Sequence, residues 1–265
     1  MKFKEVDFWC EFPNKLNWNS TKKILKKYRI NPRIFIAVKT KKEFLNYKKK
    51  IKLNLVPWVL LPKTHGYFFS GFSKKADISH LEQFKNMKIF IDIEPPLPRI
   101  PIITFPLFYL WLFLHKAKNY PFLKKEIAKL SETNKVLVSE FPFPHSIFRK
   151  LGIYINPKEK RYNNNIIKVL GAYTTMFPFM KLIFRLFIYH EVRRKIEENP
   201  NTCLAVGLMG PGIAGIEGSY KSEKEFKKDL QKFYKLKVKK VIIYSLEGLI
   251  KRKDKEKFFE LISNL

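Results

Sequence analysis

Eight short runs rich in β-branched and aromatic side chains, at residues 3–9, 33–39, 55–61, 88–94, 135–140, 166–172, 202–208 and 240–246, punctuate the chain, and helical periodicity follows each one. The helical stretches are 20–28, 41–50, 74–85, a long region at 107–133, then 144–151, 179–198, 222–234 and 254–265. Strict alternation of this kind implies parallel strands, which cannot be joined by tight hairpins and need right-handed crossovers. Eight units predict an α/β chain closed into a (β/α)8 TIM barrel. The 265 residues match the roughly 250 that such a barrel takes as a single domain, here 1–265. A doubly wound open sheet is the alternative, with its site at a switch point between strands. Two helix entrances carry capping boxes, Thr40 with Glu43 and Ser222 with Glu225.

Hydrophobic residues make up 46% of the chain and aromatics 15%, enough to fill a core throughout. The formal charge of +30 attracts phosphates, anionic lipid or acidic polymers without choosing among them. Runs such as Lys22-Lys23, Lys26-Lys27 and Lys48-Lys49-Lys50 also fit plain solvated helix faces. Cys10 and Cys203 belong to no C-x-x-C pattern, and residues 1–9 contain no apolar signal region, so a reducing cytoplasm is the expected setting. The uncharged run 100–114, interrupted by Pro101 and Pro106, falls short of the roughly 20 residues that a spanning helix needs.

In such a barrel the reactive groups sit at the C-terminal ends of the strands and on the loops that follow. The chain has 23 acidic residues, and Asp7, Glu11, Asp92, Glu94, Glu140, Glu217 and Glu247 fall at or just after expected strand ends. Gathering carboxylates costs free energy, because each loses hydration and repels the others, and this drives their pKa values apart. Acid–base catalysis uses that separation. For any single residue a helix cap or a Lys or Arg partner is the plainer explanation. Together they point to an enzyme, with Glu94, Asp92, Glu247, Glu217 and Glu140 as catalytic candidates and Asp7 and Glu11 lining the site.

The sharpest local signal is Ile89-Phe90-Ile91-Asp92-Ile93-Glu94-Pro95-Pro96. Alternation places Asp92 and Glu94 on one face, roughly 6.5 Å apart at Cα, with Ile91 and Ile93 on the other. The prolines cannot continue a ladder and turn the chain away. Asp92-Ile93-Glu94 resembles the end of the D-x-x-D-x-D-x-E signature of the family-18 glycoside hydrolases, the chitinases and endo-β-N-acetylglucosaminidases; Met87 and Phe90 occupy its two earlier Asp positions. The resemblance implies Glu94 as general acid and Asp92 as the group that positions the acetamido nucleophile of the substrate. It also implies Tyr173 as a supporting residue.

Independently of that resemblance, paired carboxylates flanking a glycosidic bond allow Glu94 as acid with Glu140, Glu217 or Glu247 as nucleophile or base. Trp9, Trp58, Tyr67, Tyr173 and Tyr244 fall near strand ends, where they can stack on sugar rings or simply fill core. Half of the ten glycines lie between 207 and 220, among them Gly210 and Gly212, which marks either a ligand-contacting loop or a tight connection. His65 and His145 follow strands closely enough to reach the mouth, but no metal-ligand spacing accompanies them, and neither metal nor cofactor is expected.

Two crossovers are too apolar for ordinary barrel exteriors. One runs from Ile102 to Leu114 and the other from Met176 to Tyr189, the latter with Lys181 and Arg185 on one side. They can pack on each other, form a homodimer interface, or lie on an anionic membrane. Three classes of function therefore stay open: a glycosidase-like hydrolase acting on a carbohydrate or lipid-linked sugar, a nonenzymatic basic barrel binding membrane or nucleic acid, and a metal-assisted sugar isomerase or hydrolase. Nucleic acid is disfavoured, since no recognition motif is present.

Overall fold

Parallel strands hydrogen-bond in chain order and close on themselves, β8 beside β1, as a (β/α)8 barrel. They are β1 (Glu5–Cys10), β2 (Ile34–Val38), β3 (Leu55–Val59), β4 (Ile89–Ile91), β5 (Val136–Glu140), β6 (Ile166–Ala172), β7 (Cys203–Gly207) and β8 (Lys240–Tyr244). The helices found among the described residues are α1 (Trp18–Lys27), α2 (Lys41–Ile51), α3 (Lys75–Ser79), α4 (Phe105–Leu114), α5 (Tyr120–Thr133), α6 (His145–Lys150), α7 (Lys181–Glu198), α8 (Glu223–Lys235), α9 (Leu246–Lys251) and α10 (Lys255–Ser263). The computed structural model describes residues 1–98, 100, 104–142, 145–156, 158–162, 164–177, 180–210 and 217–265.

Both capping residues act as expected: Thr40 Oγ1 accepts the Glu43 amide at 3.1 Å and Ser222 Oγ the Glu225 amide at 3.3 Å. Three departures from the sequence reading have identifiable causes. β4 stops at Ile91 because the Ile93 amide donates to Ser139 Oγ (2.6 Å), while Phe69 brackets Ile93 from the other side, donating to the Asp92 carbonyl and accepting from the Glu94 amide. The long helical region expected at 107–133 is two helices, since the backbone turns extended at His115 and Pro121 lies at the entrance of α5, where its missing N–H leaves no bond unmade. β8 ends at Tyr244 rather than 246, because Ser245 caps α9 by accepting the Gly248 amide at 3.2 Å.

The chain divides into two compact units. The first comprises Met1–Ala37, Lys48–Val56 and Val169–Leu265. Within it Trp9 is level with Tyr244, and Tyr244 with Gly207, so these three share one face of the sheet. A Cβ at Gly207 would lie 2.6 Å from the Tyr244 carbonyl oxygen, which is why glycine stands there. Asp7, expected at the catalytic end of β1, lies instead toward its opposite end. Its carboxylate accepts from the Arg33 amide at 2.9 Å and from the Arg33 guanidinium, which also meets Glu5, so its charge is neutralised within the barrel wall.

Farther along this unit Asp229 is fully buried and is satisfied from three elements. It accepts from Tyr220 Oη (2.8 Å) and Thr174 Oγ1, from Tyr189 Oη on α7, and it lies 3.2 Å from Arg185 Nε. Hydrogen bonds to a buried carboxylate are strong because the alternative is an uncompensated group in low dielectric. Phe226 on α8 stacks on Phe258 of α10 at 5.9 Å, closing the helical layer beside this network.

The second unit comprises Val38–Tyr47 and Pro57–Lys168. α5 buries Leu123, Ile127 and Leu130, and the turns before β4 and β5 are tied by Asn134, whose Nδ2 donates to the Phe84 carbonyl at 2.8 Å and whose Oδ1 accepts the Asn86 amide at 2.9 Å. Phe90 is level with Leu137, and Ile91 with Val138.

Replacing Asp229 by Ala leaves the Tyr220, Thr174 and Tyr189 hydroxyls without their shared acceptor and takes an ion-pair partner from Arg185. Urea unfolding of Asp229→Ala is expected to show a loss of about 3 kcal/mol in stability.

Candidate active site

In the unit that holds β4 and β5, strand parity decides which carboxylates can work together. Phe90 and Leu137 are level, so Asp92 and Ser139, each two residues farther on, share their face, and Glu140 projects from the opposite one with Val136 and Val138. Asp92 is 4% exposed and Glu94 half-buried. Trp58, whose ring centroid lies 6.1 Å from that of Phe90, completes this face. Burial pushes the Asp92 carboxyl up to about 6, and the neighbouring Ser139, Glu94 and Trp58 side chains pull it only part of the way back. Asp92 Oδ1 has no hydrogen-bond partner among the described residues. Behind Glu94 stands Tyr109 of α4, its phenol pushed up to about 12 by burial and then by the Glu94 charge.

The prolines after Glu94 are seated on a left-handed turn. Gly66 has φ +93° and its carbonyl accepts the Leu97 amide at 2.9 Å, while a Cβ there would stand 3.0 Å from Pro96. The direction of the chain leaving β4 is thereby set.

The other unit gathers a second group at the ends of β1 and β8. Glu247, in the first turn of α9, accepts the Glu11 amide at 3.0 Å and the Phe12 amide at 3.2 Å through Oε1, while its Oε2 has no hydrogen-bond partner among the described residues. Burial raises its pKa against the pull of those amides. Tyr244 donates its hydroxyl to Glu11, and burial together with that carboxylate holds the phenol far above its ordinary range. The rings of Trp9, Tyr173 and Tyr244 form a triangle with centroids 5.8–6.4 Å apart. The Cys10 thiol is pushed up by burial and then by Glu247.

The structure thus assembles Asp92 with Glu94 in one unit, and Trp9, Glu11, Tyr173, Tyr244 and Glu247 in the other. Glu140 is not among them: it projects from the opposite face and is ion-paired with Lys168, whose ammonium lies 4.6 Å from the Tyr154 ring centroid. Glu217 is half-buried in the loop after β7. Gly210 is where that loop crosses α9 backbone to backbone, since a Cβ there would stand 3.1 Å from Gly248 Cα; Gly212 lies outside the described residues. His65 meets Asp77 of α3 at 2.7 Å, and the side chain of His145 lies outside the described residues. Among the described residues no three metal-binding side chains cluster.

Sequence reasoning missed two members of the site. Ser139 is a lone hydroxyl in an apolar strand, and period two puts it on the face of Leu137, but its place beside Asp92 follows only from the register of β4 and β5. Tyr109 carried no such signal, because its position depends on where α4 packs.

No family model matches the chain, and no curated protein does. Solved structures do. The glycoside hydrolase domain of PgaB (BpsB) from Bordetella bronchiseptica is similar with a TM-score of 0.53 at 9% identity, over 97% of this chain and 98% of that one. A Schiff base-forming fructose-1,6-bisphosphate aldolase is similar with a TM-score of 0.51 at 10% identity, over 98% of this chain and 93% of that one. At such identities the shared property is the barrel.

Below about pH 4, near the ordinary aspartate value of 3.8, folded and unfolded chains both hold a proton at position 92; between there and about 6 only the folded chain does. The stability contributed by that proton is full in acid and is lost as pH rises through 6. Asp92→Asn removes the effect, so its stability relative to the parent should rise by up to about 3 kcal/mol between about pH 4 and about pH 7 in urea unfolding. A difference constant across that range contradicts the burial-driven shift.

Proposed function

We propose that the chain is a glycoside hydrolase-like enzyme in which Glu94 is the general acid and Asp92 its orienting partner. The observation that carries this reading is the Asp92–Glu94 pair at the end of β4: one carboxyl buried with an unsatisfied oxygen and a pKa near 6, the other half-buried beside it. Asp92 Oδ1 suits an N–H donor from a ligand, and the acetamido group of an N-acetylated sugar offers one. Accepting that N–H turns the acetamido oxygen toward the anomeric carbon, where it can displace the leaving oxygen as Glu94 protonates it. Trp58, on the same face, is buried against Phe90 and backs the pair with an apolar wall. The barrel shared with the PgaB glycoside hydrolase domain supports this choice of chemistry, and the Asp92-Ile93-Glu94 resemblance to family 18 gives it its finer form.

One observation favours a second reading. Glu247 is held by one oxygen, leaves the other unpartnered among the described residues, and lies near Glu11 and the buried Tyr244 ring, an environment that suits a proton donor.

Chromogenic N-acetylglucosamine oligosaccharides separate the two. Glu94→Gln is expected to fold with unchanged circular dichroism and to lose at least about 100-fold in kcat, with Asp92→Asn also impaired. Full turnover by Glu94→Gln alongside a comparable loss in Glu247→Gln transfers the acid to Glu247, and full turnover by both removes the hydrolase reading.

A further inference from the structure

α4 is built with its apolar stripe facing out. Its ten residues, Phe-Pro-Leu-Phe-Tyr-Leu-Trp-Leu-Phe-Leu, include no charge, and the inward side is supplied by buried Leu112 and half-buried Tyr109. Leu107, Leu110, Trp111 and Leu114, spaced i, i+3, i+4 and i+7, are 68%, 54%, 50% and 73% exposed. That spacing defines a single helix face, and a face of this composition is normally buried.

Cations border it. Lys116 and Lys118 follow α4 and are exposed, and Lys150 of α6 places its ammonium 4.5 Å from the Phe113 ring centroid. Their charge selects the occupant. A second copy of the chain seated symmetrically on this face brings the same lysines against each other, in a protein already at +30, whereas a sheet of anionic headgroups over acyl chains complements both the apolar stripe and its basic border. Among the described residues no helix is long and apolar enough to cross a membrane, and the contact proposed for this ten-residue helix is a peripheral one.

We propose that α4 docks on an anionic lipid bilayer, with Leu107, Leu110, Trp111 and Leu114 among the acyl chains and Lys116, Lys118 and Lys150 at the headgroups. The side of α4 facing away from the lipid carries Tyr109, the residue beside Glu94. Resting on the reading of Glu94 as general acid, this geometry assigns a substrate class: a sugar carried by a membrane lipid, whose head reaches Glu94 while its tail stays in the bilayer.

Co-sedimentation of the full chain tests the docking without reference to turnover. The protein is expected to pellet with vesicles of equal parts phosphatidylcholine and phosphatidylglycerol, less with phosphatidylcholine alone, and the double variant Leu110→Glu/Trp111→Glu to lose at least about tenfold in partitioning while unfolding in urea as the parent does. Lys116→Glu/Lys150→Glu is expected to lose the preference for the anionic vesicles. Equal partitioning to both vesicles, or none to either, overturns the proposal; so does sedimentation velocity showing a dimer that Leu110→Glu/Trp111→Glu splits, which assigns the face to a second copy. Glu94→Gln is expected to bind vesicles as the parent does, so its loss of hydrolysis and a loss of docking are read separately. For the substrate class, the ratio of hydrolysis of a vesicle-borne glycolipid to that of a soluble oligosaccharide should fall about tenfold in Leu110→Glu/Trp111→Glu. An unchanged ratio withdraws the lipid-linked substrate and leaves the docking intact.

Discussion

Parallel strands in register keep level residues on a common face, and the two-residue repeat of an extended chain then sorts every side chain to one side of the sheet or the other. Each candidate here is governed by that parity. Phe90 level with Leu137 puts Asp92 and Ser139 together and sends Glu140 to the far side. Trp9 level with Tyr244 aligns two aromatic rings on one side, and the hydroxyl of the second then fixes Glu11. A shift of one residue in either pair would exchange these sets and dissolve both groups.

Charge supplies the second level of selection. With 53 basic residues against 23 acidic ones, a carboxylate in this chain readily finds a cation. Asp7 has Arg33, Glu140 has Lys168, and Asp229 has Arg185 within a larger network of hydroxyls. Asp92 and Glu247 are different: both are buried, neither makes an ion pair among the described residues, and what neighbours them is a hydroxyl, an indole, a carboxyl or backbone amides. Desolvation then outweighs the stabilisation those neighbours give, and both carboxyls are held more basic than usual. In a protein so rich in lysine, exclusion of cations from two buried acids is the feature that sets them apart.

Much of the architecture was legible because it follows from local pattern. The apolar runs became the strands, and Thr40 and Ser222 became caps, since these depend on a handful of adjacent residues. Where the reading slipped, either a long-range partner had intervened or a helix start lacked its usual signature. Ile93 gave its amide to a side chain on the next strand, which shortened β4, and Ser245 began a helix without the acid that makes such a start recognisable. The site was legible in part for the same reason. The Asp92-Ile93-Glu94 spacing is contained in three residues, but the identity of what surrounds Asp92 comes from β3 and β5, tens of positions away.

The chain on its own determined the alternation of strands and helices, the barrel that alternation closes into, the local pairing of Asp92 with Glu94, and the apolar character of α4, because each is a property of neighbours along the backbone. Tertiary structure alone decided that Asp7 and Glu140 are neutralised, that Glu247 is clamped by the amides of Glu11 and Phe12, and that α4 turns its leucines outward. Those outcomes depend on strand register and helix placement, which bring together residues as far apart as 11 and 247, and no local propensity encodes such distances.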